Sequence, residues 1–483
     1  MSNLFAALRS SSGALSVFDN ALSVSQNNIA NAATPGYARQ TPAFEALPFD
    51  SAQGLVGGVK SGPAQSARDL FSENAVQKAQ TALGGWEEKV STLQGLQTSF
   101  DITGESGIPG ALNKLFDAFS AWSAAPGGST ARQSVLDAAQ TLSEAFQQQS
   151  TAVSAAVSGA DSHLTSLVGQ VNTLAAQIQR DNVQRSGGKT NDPAVDANLY
   201  SSLEQLAQLV PITTLNQSDG STTVLLAGQI PLVVGKFQYQ LSAQTSVPQI
   251  PPPVNPSGPP SAQILNSDGT DVTAAITSGK IGGLLQARNG TLASLQGDAS
   301  QPGSLNQLAQ GIADRINALL TGGNISDADP VAGTPAVPGV PLFVYDATNP
   351  TAAARTLIVN PAITPGQLAA IDPGPPEVQN GIPLRLANLA TPQNSADKLN
   401  NMSYTQFFGN LAGQLGSVIA TAQNNQTTNQ DLVTQASNLR QQSSGVDLNQ
   451  EAIRVLQFQQ AYHAASKMVA ILNELTKSIL DAV

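Results

Sequence analysis

Few side chains in this sequence are of the types and at the spacings that could do chemistry. The chain has two histidines, His163 and His463, and neither has a second histidine or a carboxylate at metal-ligand spacing. Asp327 and Asp329, in the segment SDADP, could bind a cation weakly, but a loop with solvated charges is the more frequent explanation. The glycine pairs lack the context of a phosphate-binding loop, and no GxSxG motif is present. The sequence therefore predicts no catalytic residue, no metal site and no cofactor.

The composition excludes further function classes. Charged residues make up 11% of the chain, and 22 basic against 33 acidic residues give a formal net charge of −11. Because no basic run stands out, a phosphate-binding or nucleic-acid-binding surface is not expected. The chain has no cysteine, so it has neither a disulfide framework nor a thiolate site. Polar character comes instead from glutamine, asparagine, serine and threonine.

The elements that remain to be explained are two long helices at the chain ends. Near the start, apolar or small residues recur alternately every four and three positions, which is the a/d pattern of a helix that supercoils against a partner. These positions are Leu4, Leu8, Ser11, Leu15, Phe18, Leu22, Ser25 and Ile29. A helix of this length spans about 40 Å and cannot bury its stripe on itself. It needs a partner.

The C-terminus offers that partner. The stripe there consists of Leu448, Val455, Phe458, Tyr462, Ala465, Val469, Leu472, Thr476 and Ile479, which follow the same alternation from Val455 onward. The two stripes are similar in length, so we expect the two ends of the chain to pair as a coiled coil. This pairing predicts an assembly surface formed by the apolar members of both stripes.

The first helix is expected to end at Thr34-Pro35-Gly36, because proline disfavours helical geometry in the residue before it and glycine permits a turn. Three asparagines, Asn27, Asn28 and Asn31, precede this turn, and Tyr37 follows it. Asparagine competes for backbone hydrogen bonds and suits a helix end that changes direction. From the residues alone, an ordinary helix terminus is the favoured explanation of this stretch.

The middle of the chain switches period twice. After Thr41 to Pro63, which reads as irregular, helices are expected to about Leu209, with a break at Gly84-Gly85. In one of them, Leu112, Leu115, Phe116, Phe119 and Trp122 share a face. Strands are expected at Ile212 to Leu215, Thr222 to Ala227 and Phe237 to Leu241, with a hairpin at Asp219-Gly220. A proline-dense spacer from Val247 to Ala262 follows. Helices return at Ile281 to Leu320 and Thr405 to Arg440, with short strands at Leu342 to Tyr345 and Arg355 to Val359 between them.

These segments predict a mainly α fold with an inserted β-rich domain. We expect an elongated molecule in which the paired terminal helices are followed by a bundle of long helices and then by a distal β domain. The predicted domains are a terminal coiled coil (1–40 with 443–483), a helical bundle (41–210 with 280–325 and 395–442) and a β-rich or irregular outer domain (211–279 and 326–394).

The motifs at the two ends resemble those of a known family. NNIANAATPGYARQ near residue 30, together with SGVDLNQEA and FQQAYHAASK near the C-terminus, is similar to the flagellar axial proteins, which are the rod, hook and hook-associated proteins of bacterial flagella. The turn reads PGYARQ and not the TxGFK-like form of hook and rod proteins, and ARDLFSENAV resembles the next helix of the hook-associated group. The match is good at the ends and faint between about residues 242 and 390.

The resemblance implies a structural component at the hook–filament junction that assembles through its terminal helices. The implied assembly residues are Leu4, Leu8, Leu15, Phe18, Leu22, Asn27, Asn28, Ile29, Asn31, Pro35, Gly36, Tyr37, Val455, Phe458, Tyr462, Val469, Leu472 and Ile479. A hook, rod or flagellin-like subunit is the alternative, and a secreted enzyme or adhesin is a third possibility that predicts a reactive constellation not found in the sequence.

The implied partners are further copies of the chain in a ring-like oligomer, the hook protein, a second junction protein and an export chaperone. No nucleic acid and no membrane are expected, because no window approaches the roughly 18 apolar residues of a membrane span. Met1 to Gly13 lacks the continuous apolar run of a secretory signal. The resemblance therefore implies an extracellular location in the flagellum, reached by export without a cleaved signal peptide.

Overall fold

The fold is mainly helical, as predicted. A computed structural model describes residues 2–50, 55–101, 105–245, 260–327 and 335–481. The α-helices are α1 (Ser2–Ala30), α2 (Leu70–Gln97), α3 (Gly107–Ala124), α4 (Ser129–Gln184), α5 (Pro193–Leu209), α6 (Gly279–Leu285), α7 (Ala293–Gln296), α8 (Ser304–Thr321), α9 (Ala353–Thr356), α10 (Gly381–Ala387), α11 (Tyr404–Ser444) and α12 (Leu448–Asp481). A π-helical turn, Gln286–Leu292, joins α6 to α7.

The strands are short and form several small antiparallel sheets. They are β1 (Gln40–Ala46), β2 (Phe49–Asp50), β3 (Leu55–Val56), β4 (Val59–Ser66), β5 (Ile212–Asn216), β6 (Thr222–Leu226), β7 (Ile230–Val234), β8 (Phe237–Gln238), β9 (Ser242–Thr245), β10 (Ala262–Leu265), β11 (Asn324–Ser326), β12 (Val337–Pro338), β13 (Phe343–Val344) and β14 (Ile358–Val359). Strands β5 to β8 form one four-stranded sheet in sequence order, and the others pair as β1–β4, β2–β3, β9–β10, β11–β12 and β13–β14.

Two compact units divide the chain. The first unit consists of Met1–Gly84, Gly169–Gln240 and Thr427–Val483, and the second consists of Gly85–Val168 and Leu241–Gln426. The sheet β5–β8 belongs to the first unit, together with both chain ends, and β9 to β14 belong to the second unit. The three domains expected from the sequence stay a prediction.

In the first unit, α1 is covered by α12 and by the β1–β4 hairpin. The hairpin pairs Ala43 with Gly62, and its register shifts between Thr41 and Ala43, where Pro42 has no N–H to donate. The prediction that Thr41 to Pro63 is irregular is therefore wrong for the described part of that stretch. Proline and glycine are compatible with a two-stranded ribbon, because every strand in it is an edge strand.

The four-stranded sheet of the first unit is attached to the end of α4. Asn182, which is buried, donates to the carbonyl oxygens of Thr222 and Gly235, and its Oδ1 accepts from the Thr222 amide at 2.8 Å. The hairpin predicted at Asp219-Gly220 is confirmed, with Gly220 at φ +84°. The predicted strand Phe237 to Leu241 is shorter than expected, because only Phe237–Gln238 pairs with β7.

The second unit has an apolar core in which the predicted face of α3 is confirmed. Leu112, Leu115, Phe116, Phe119 and Trp122 are all buried. The predicted short strands near residues 342–345 and 355–359 shrink to β13 and β14, because α9 takes up the residues just before β14. Most of the predicted proline-dense spacer, and Asp329, lie outside the described residues, whereas the Asp327 carboxylate accepts a hydrogen bond from Gln379.

The glycine pair in α2 allows close packing and does not break the helix. A Cβ on Gly84 would lie 2.3 Å from the carbonyl oxygen of Gln208 in the first unit. In the second unit, a Cβ on Gly283 would lie 2.0 Å from the carbonyl oxygen of Gly85. The predicted break at Gly84-Gly85 is wrong, because α2 runs through both residues. Gly84 and Gly283 are the positions whose missing side chains let neighbouring backbones approach.

Candidate assembly interface

Helices α1 and α12 lie against each other in an antiparallel arrangement. Ser11 Oγ is 3.8 Å from Met468 Sδ, and Asn28 Nδ2 is 3.2 Å from Glu451 Oε2. The start of α1 thus lies near the later part of α12, and the end of α1 lies near its beginning. The two ends of the chain, which the sequence paired through their apolar stripes, are in contact.

The predicted stripe of α1 lies beside the most buried positions of the helix. Leu4, Leu8, Leu15, Phe18 and Leu22 are half-buried, and Ile29 is 37% exposed. The most buried residues are Val17, Ala21, Ser25 and Asn28, which are shifted by one position from three members of the predicted stripe. The buried positions differ from the predicted stripe because α1 is covered by the β1–β4 hairpin as well as by α12, whereas the prediction considered only a pair of helices.

The predicted stripe of α12 is mostly half-buried, although its first member, Leu448, is 53% exposed. Val455, Phe458, Tyr462, Val469 and Leu472 are half-buried, Ala465 is buried, and Ile479 is 40% exposed. The Phe458 ring also meets Phe44 of β1, with ring centroids 6.3 Å apart. The helix begins behind Asp447, whose Oδ1 accepts from the amides of Asn449 and Gln450 as an N-cap.

The turn after α1 is built by the residues that the sequence singled out. Asn31 donates through Nδ2 to Asn27, and the Tyr37 amide donates to Thr34 O at 3.1 Å across Pro35 and Gly36. Gly36 has φ +74°, so the segment has proline and glycine at the two central positions of a type II turn. Pro35 itself is exposed.

Gly36 also packs against α5. A Cβ there would lie 2.2 Å from the carbonyl oxygen of Ala197 and 2.8 Å from the amide nitrogen of Ser201. Both the positive φ and the close contact require glycine at this position. The turn is therefore seated on α5 as well as on the end of α1.

Asn28 joins the two ends of the chain through a complete set of hydrogen bonds. Its Nδ2 donates to Gln40 O at 2.8 Å and to Glu451 Oε2 at 3.2 Å. Its Oδ1 accepts from the Gln40 amide at 2.8 Å and from Tyr37 Oη at 2.9 Å. An asparagine amide has two donors and two acceptor sites, so Asn28 is fully satisfied while completely buried. We call Asn28, Tyr37, Gln40 and Glu451 the asparagine key.

The electrostatics of the asparagine key keep Tyr37 protonated. Burial, and then the nearby carboxylate of Glu451, raise the pKa of Tyr37 to about 12. A protonated Tyr37 donates to Asn28, which agrees with the geometry. Glu451, 1% exposed, is also paired with Arg454 at 2.7 Å. A buried carboxylate needs such partners, because an unpaired buried charge is strongly destabilising.

A second polar cluster, which sequence reasoning missed, surrounds Arg68. Its guanidinium contacts Glu73 Oε1 at 2.5 Å, Asp196 Oδ2 at 2.8 Å and Gly36 O at 2.6 Å, and its Cζ lies 3.8 Å from the centroid of the Tyr200 ring. The side chains of Arg68 and Glu73 are almost completely buried. We call this set the arginine hub. It holds the turn, the start of α2 and α5 together.

The hub continues to the end of α11. Arg440 pairs with Glu204 at 2.6 Å and reaches Glu73 at 3.4 Å, and Arg185 pairs with Asp196 at 2.7 Å. The sequence offers one indication of this cluster, which is the low share of charged residues, 11%. In such a chain, the charged side chains of a motif such as ARDLFSENAV are expected to form ion pairs. Their partners lie too far along the chain to be identified from spacing.

One face of α12 carries large apolar side chains that remain exposed beside α1. These residues are Ile453, Leu456, Ile471 and Leu475, which are between 47% and 59% exposed. They lie on the side of the helix away from the predicted seam. We call this set the outer stripe of α12. Exposed apolar side chains that share one helix face are typical of protein–protein interfaces.

The described residues contain neither a metal-ligand cluster nor a membrane-spanning helix. No group of three or more histidine, cysteine, aspartate or glutamate side chains there could hold a metal ion. No helix in the same part of the chain is both long and apolar enough to cross a membrane.

Family models match three parts of the chain. The model described as "Flagellar hook-associated protein FlgK helical domain" matches residues 93–335. The model "Flagella basal body rod protein" matches residues 8–37, and "Flagellar basal body rod FlgEFG protein C-terminal" matches residues 435–482. The two rod-protein matches thus contain most of α1 and all of the described part of α12.

Two relatives that align with almost the whole chain have the same name. The chain is 23% identical to flagellar hook-associated protein 1 of Bacillus subtilis, with 100% of this chain and 99% of the relative covered. It is 22% identical to flagellar hook-associated protein 1 of Escherichia coli, with 95% and 96% covered. The structure of the flagellar hook junction protein FlgK from Burkholderia pseudomallei aligns with a TM-score of 0.63 at 16% identity, over 76% of this chain and 99% of that one. At that identity the alignment shows a shared fold.

Proposed function

The chain belongs to the flagellar hook-associated protein FlgK family, and on that premise we propose that its two ends are the part of the molecule that assembles. Membership makes the chain a structural component of the bacterial flagellum at the hook–filament junction. The family is structural and not enzymatic, in agreement with the prediction that the chain is not an enzyme. It works with other hook and filament components.

The observation that carries the proposal is the asparagine key. Asn28 and Glu451 are separated by 423 positions in the sequence, yet they form a buried hydrogen bond between α1 and the start of α12. A buried polar pair of this kind fixes the register of two helices, because any slip leaves a donor or a charge unpaired. We propose that the two helices pair as a coiled coil in this register.

The residues that would carry assembly are those predicted from the sequence. Between the helices they are Leu4, Leu8, Leu15, Phe18, Leu22, Ile29, Val455, Phe458, Tyr462, Val469, Leu472 and Ile479, and at the turn they are Asn27, Asn28, Asn31, Pro35, Gly36 and Tyr37. Most of the apolar residues between the helices are half-buried, and side chains that α1 and α12 cover only in part keep apolar area for further copies. The outer stripe of α12 would add to that area.

The same proposal names the individual partners of the chain in the flagellum. Copies of the chain would form a ring-like zone of the axial structure, with the hook protein on one side and a second junction protein on the other. The chain would be exported through the flagellum's own apparatus to an extracellular position, with the help of a chaperone. The chain has no cysteine, so no disulfide would hinder the unfolding that such export requires.

A hook or rod subunit is the second candidate, and a specific observation favours it: both chain ends match rod-protein models. The FlgK helical-domain match over residues 93–335 argues for the junction role instead. Electron microscopy of a deletion strain separates the two candidates.

Hooks that carry no filament, with flagellin shed into the medium, are expected if the chain acts at the junction. Absent or truncated hooks would contradict the junction role and support a hook or rod subunit. Complementation with Phe458→Asp should fail to restore filaments, because a carboxylate would be placed in the partly buried stripe of α12. Glu474→Gln, on an exposed position of the same helix, should restore them.

A further inference from the structure

A surface groove in the second unit lies between the later part of α2 and the middle of α4. It encloses about 390 Å³, within the range of about 300–1,000 Å³ that is common for ligand sites. Much of its lining comes from the small residues Gly95, Ala152, Ala156, Gly159 and Ala160. A Cβ built on Gly95 or Gly159 would meet no atom within 4 Å, so the space above both glycines is open.

A buried carboxylate stands at one end of this groove. Glu88 lines it, and only 7% of its side-chain surface is exposed. Its Oε1 lies 3.2 Å from His163 Nε2 and 3.4 Å from Thr92 Oγ1. Among the described residues, no donor is recorded for Oε2, and no lysine or arginine forms an ion pair with Glu88.

The neighbouring cation does not supply the missing partner. Lys89 Nζ lies 5.6 Å from the centroid of the Trp86 ring, and burial lowers the pKa of Lys89. The His163 side chain is 46% exposed and contacts one oxygen of Glu88 only. A carboxylate that is removed from water is stabilised by a full positive charge with hydrogen bonds to both oxygens, and the groove leaves room for a group that brings one.

We propose that this groove binds an aliphatic ammonium group, which in the assembled flagellum is a lysine side chain of a neighbouring protein subunit. The ammonium pairs with Glu88, and the methylene chain lies on the surface formed by Gly95, Ala156 and Gly159. The hydroxyls of Ser91 and Thr92, which also line the groove, are acceptors for its remaining hydrogens. The identity of the donor as a neighbouring subunit rests on the proposed function, whereas the ammonium site itself does not.

Charge and shape both select this ligand. The chain has a formal net charge of −11, so an approaching basic side chain is attracted and an acidic one is repelled. An ammonium is compact and presents three donors, which suits one carboxylate and two hydroxyls better than a planar guanidinium does. Small residues on two facing helices admit an unbranched alkyl chain without displacing protein atoms.

The site is tested on the purified full-length protein with two probes, n-butylammonium and Nα-acetyl-lysine methylamide. Binding is followed through the His163 ring resonances in NMR spectra, and His463 serves as an internal reference because it is the only other histidine. Both probes should shift the His163 signals saturably, and n-butanol should not. Glu88→Gln should weaken both amines at least about tenfold, since it removes a charge-assisted hydrogen bond.

Matched variants separate the groove from general effects. Gly159→Leu should abolish binding by filling the groove, whereas Gly169→Leu, at an exposed position of the same helix with equally open space, should not. Glu87→Gln should bind as the wild type does. The two leucine variants make the same change in helix propensity, so a difference between them reports on the groove.

Failure of the inference is distinguishable from failure of the proposed function. Absence of saturable binding, equal binding of n-butanol, or unchanged binding in Glu88→Gln would overturn the ammonium site. Binding of n-butylammonium without the lysine derivative would overturn the assignment to a lysine side chain. None of these outcomes depends on where the protein acts, which the microscopy of the deletion strain decides.

Discussion

Replacing Asn28 by aspartate should release the two ends of the chain from each other. The change is almost isosteric, and it keeps an oxygen to accept from the Gln40 amide and from Tyr37. The substitution replaces the Nδ2 donor by a carboxylate oxygen. That oxygen faces two other acceptors, Gln40 O and Glu451 Oε2, and adds a second negative charge in a fully buried place. Leaving a buried charge without its partner costs about 3–5 kcal/mol.

Hydrogen exchange of peptides from α1 and α12 measures this loss. If the pair opens as a local unit, 3–5 kcal/mol corresponds to exchange roughly a hundredfold to several thousandfold faster than in the wild type. Asn27→Asp is the control, because Asn27 is exposed, and it should change exchange little. The defect should lessen at acid pH: burial beside Glu451 raises the pKa of the new carboxyl group, and once protonated it can donate again. Wild-type exchange in Asn28→Asp, or an equal effect in Asn27→Asp, would refute the register role of Asn28.

Three further outcomes are expected, with hydrogen exchange of first-unit peptides as the readout. Gly36→Ala should destabilise the turn by at least about 2 kcal/mol, because it adds left-handed strain and a backbone clash. Gly187→Ala, in the same unit and at a position where a Cβ meets nothing within 4 Å, should change stability little, and equal effects would contradict the close contact. Arg68→Met should destabilise the first unit by less than the about 3–5 kcal/mol of a wholly unpaired buried charge, because Glu73 keeps Arg440 and Asp196 keeps Arg185. Arg68→Lys should not fully restore stability, and full restoration would show that charge alone matters. The pKa of Tyr37 is raised from 10.0 to about 12, so the stability that its protonated form contributes is present below pH 10 and lost as the pH rises to 12. Tyr37→Phe should therefore lose less stability between pH 10 and 12 than the wild type does. An unchanged loss of stability would argue against this assignment.

The apolar periodicities in the sequence predicted the helices well. The face of α3 that contains Phe119 and Trp122 is buried as expected, because a 3.6-residue period needs only local information. The stripe of α1 was displaced by one position toward Val17 and Ala21. Its partner surface includes a hairpin that the period of a single helix cannot reveal.

The polar contacts of the candidate site could not be predicted from spacing. Asn28 was singled out as part of a helix end, but its bond to Glu451 joins residues from opposite ends of the chain. Arg68 and Asp196 are 128 positions apart. Such pairs depend on which segments fold together, so only the three-dimensional arrangement identifies them.

Glycine was the least predictable residue. Gly36 was read correctly as a turn residue because proline precedes it and asparagines lie upstream. The pair Gly84-Gly85 predicted a break, yet both residues lie inside α2, where the close approach of the Gln208 carbonyl requires glycine at position 84. Sequence alone does not distinguish a glycine needed for its backbone angles from one needed for its missing side chain.

The central claim is that α1 and α12 of the same chain pair in one register within the flagellum. The absence of native cysteine allows a direct test, in which Ser11→Cys and Met468→Cys are combined in one chain, assembled into flagella and treated with a short thiol crosslinker. Ser11 Oγ and Met468 Sδ are 3.8 Å apart, so the account predicts a link within one chain in isolated hook–filament junctions. It also predicts no linked dimer when the two single variants are co-expressed. Efficient dimers from the co-expressed single variants, or no link in functional junctions that contain the double variant, would contradict the claim.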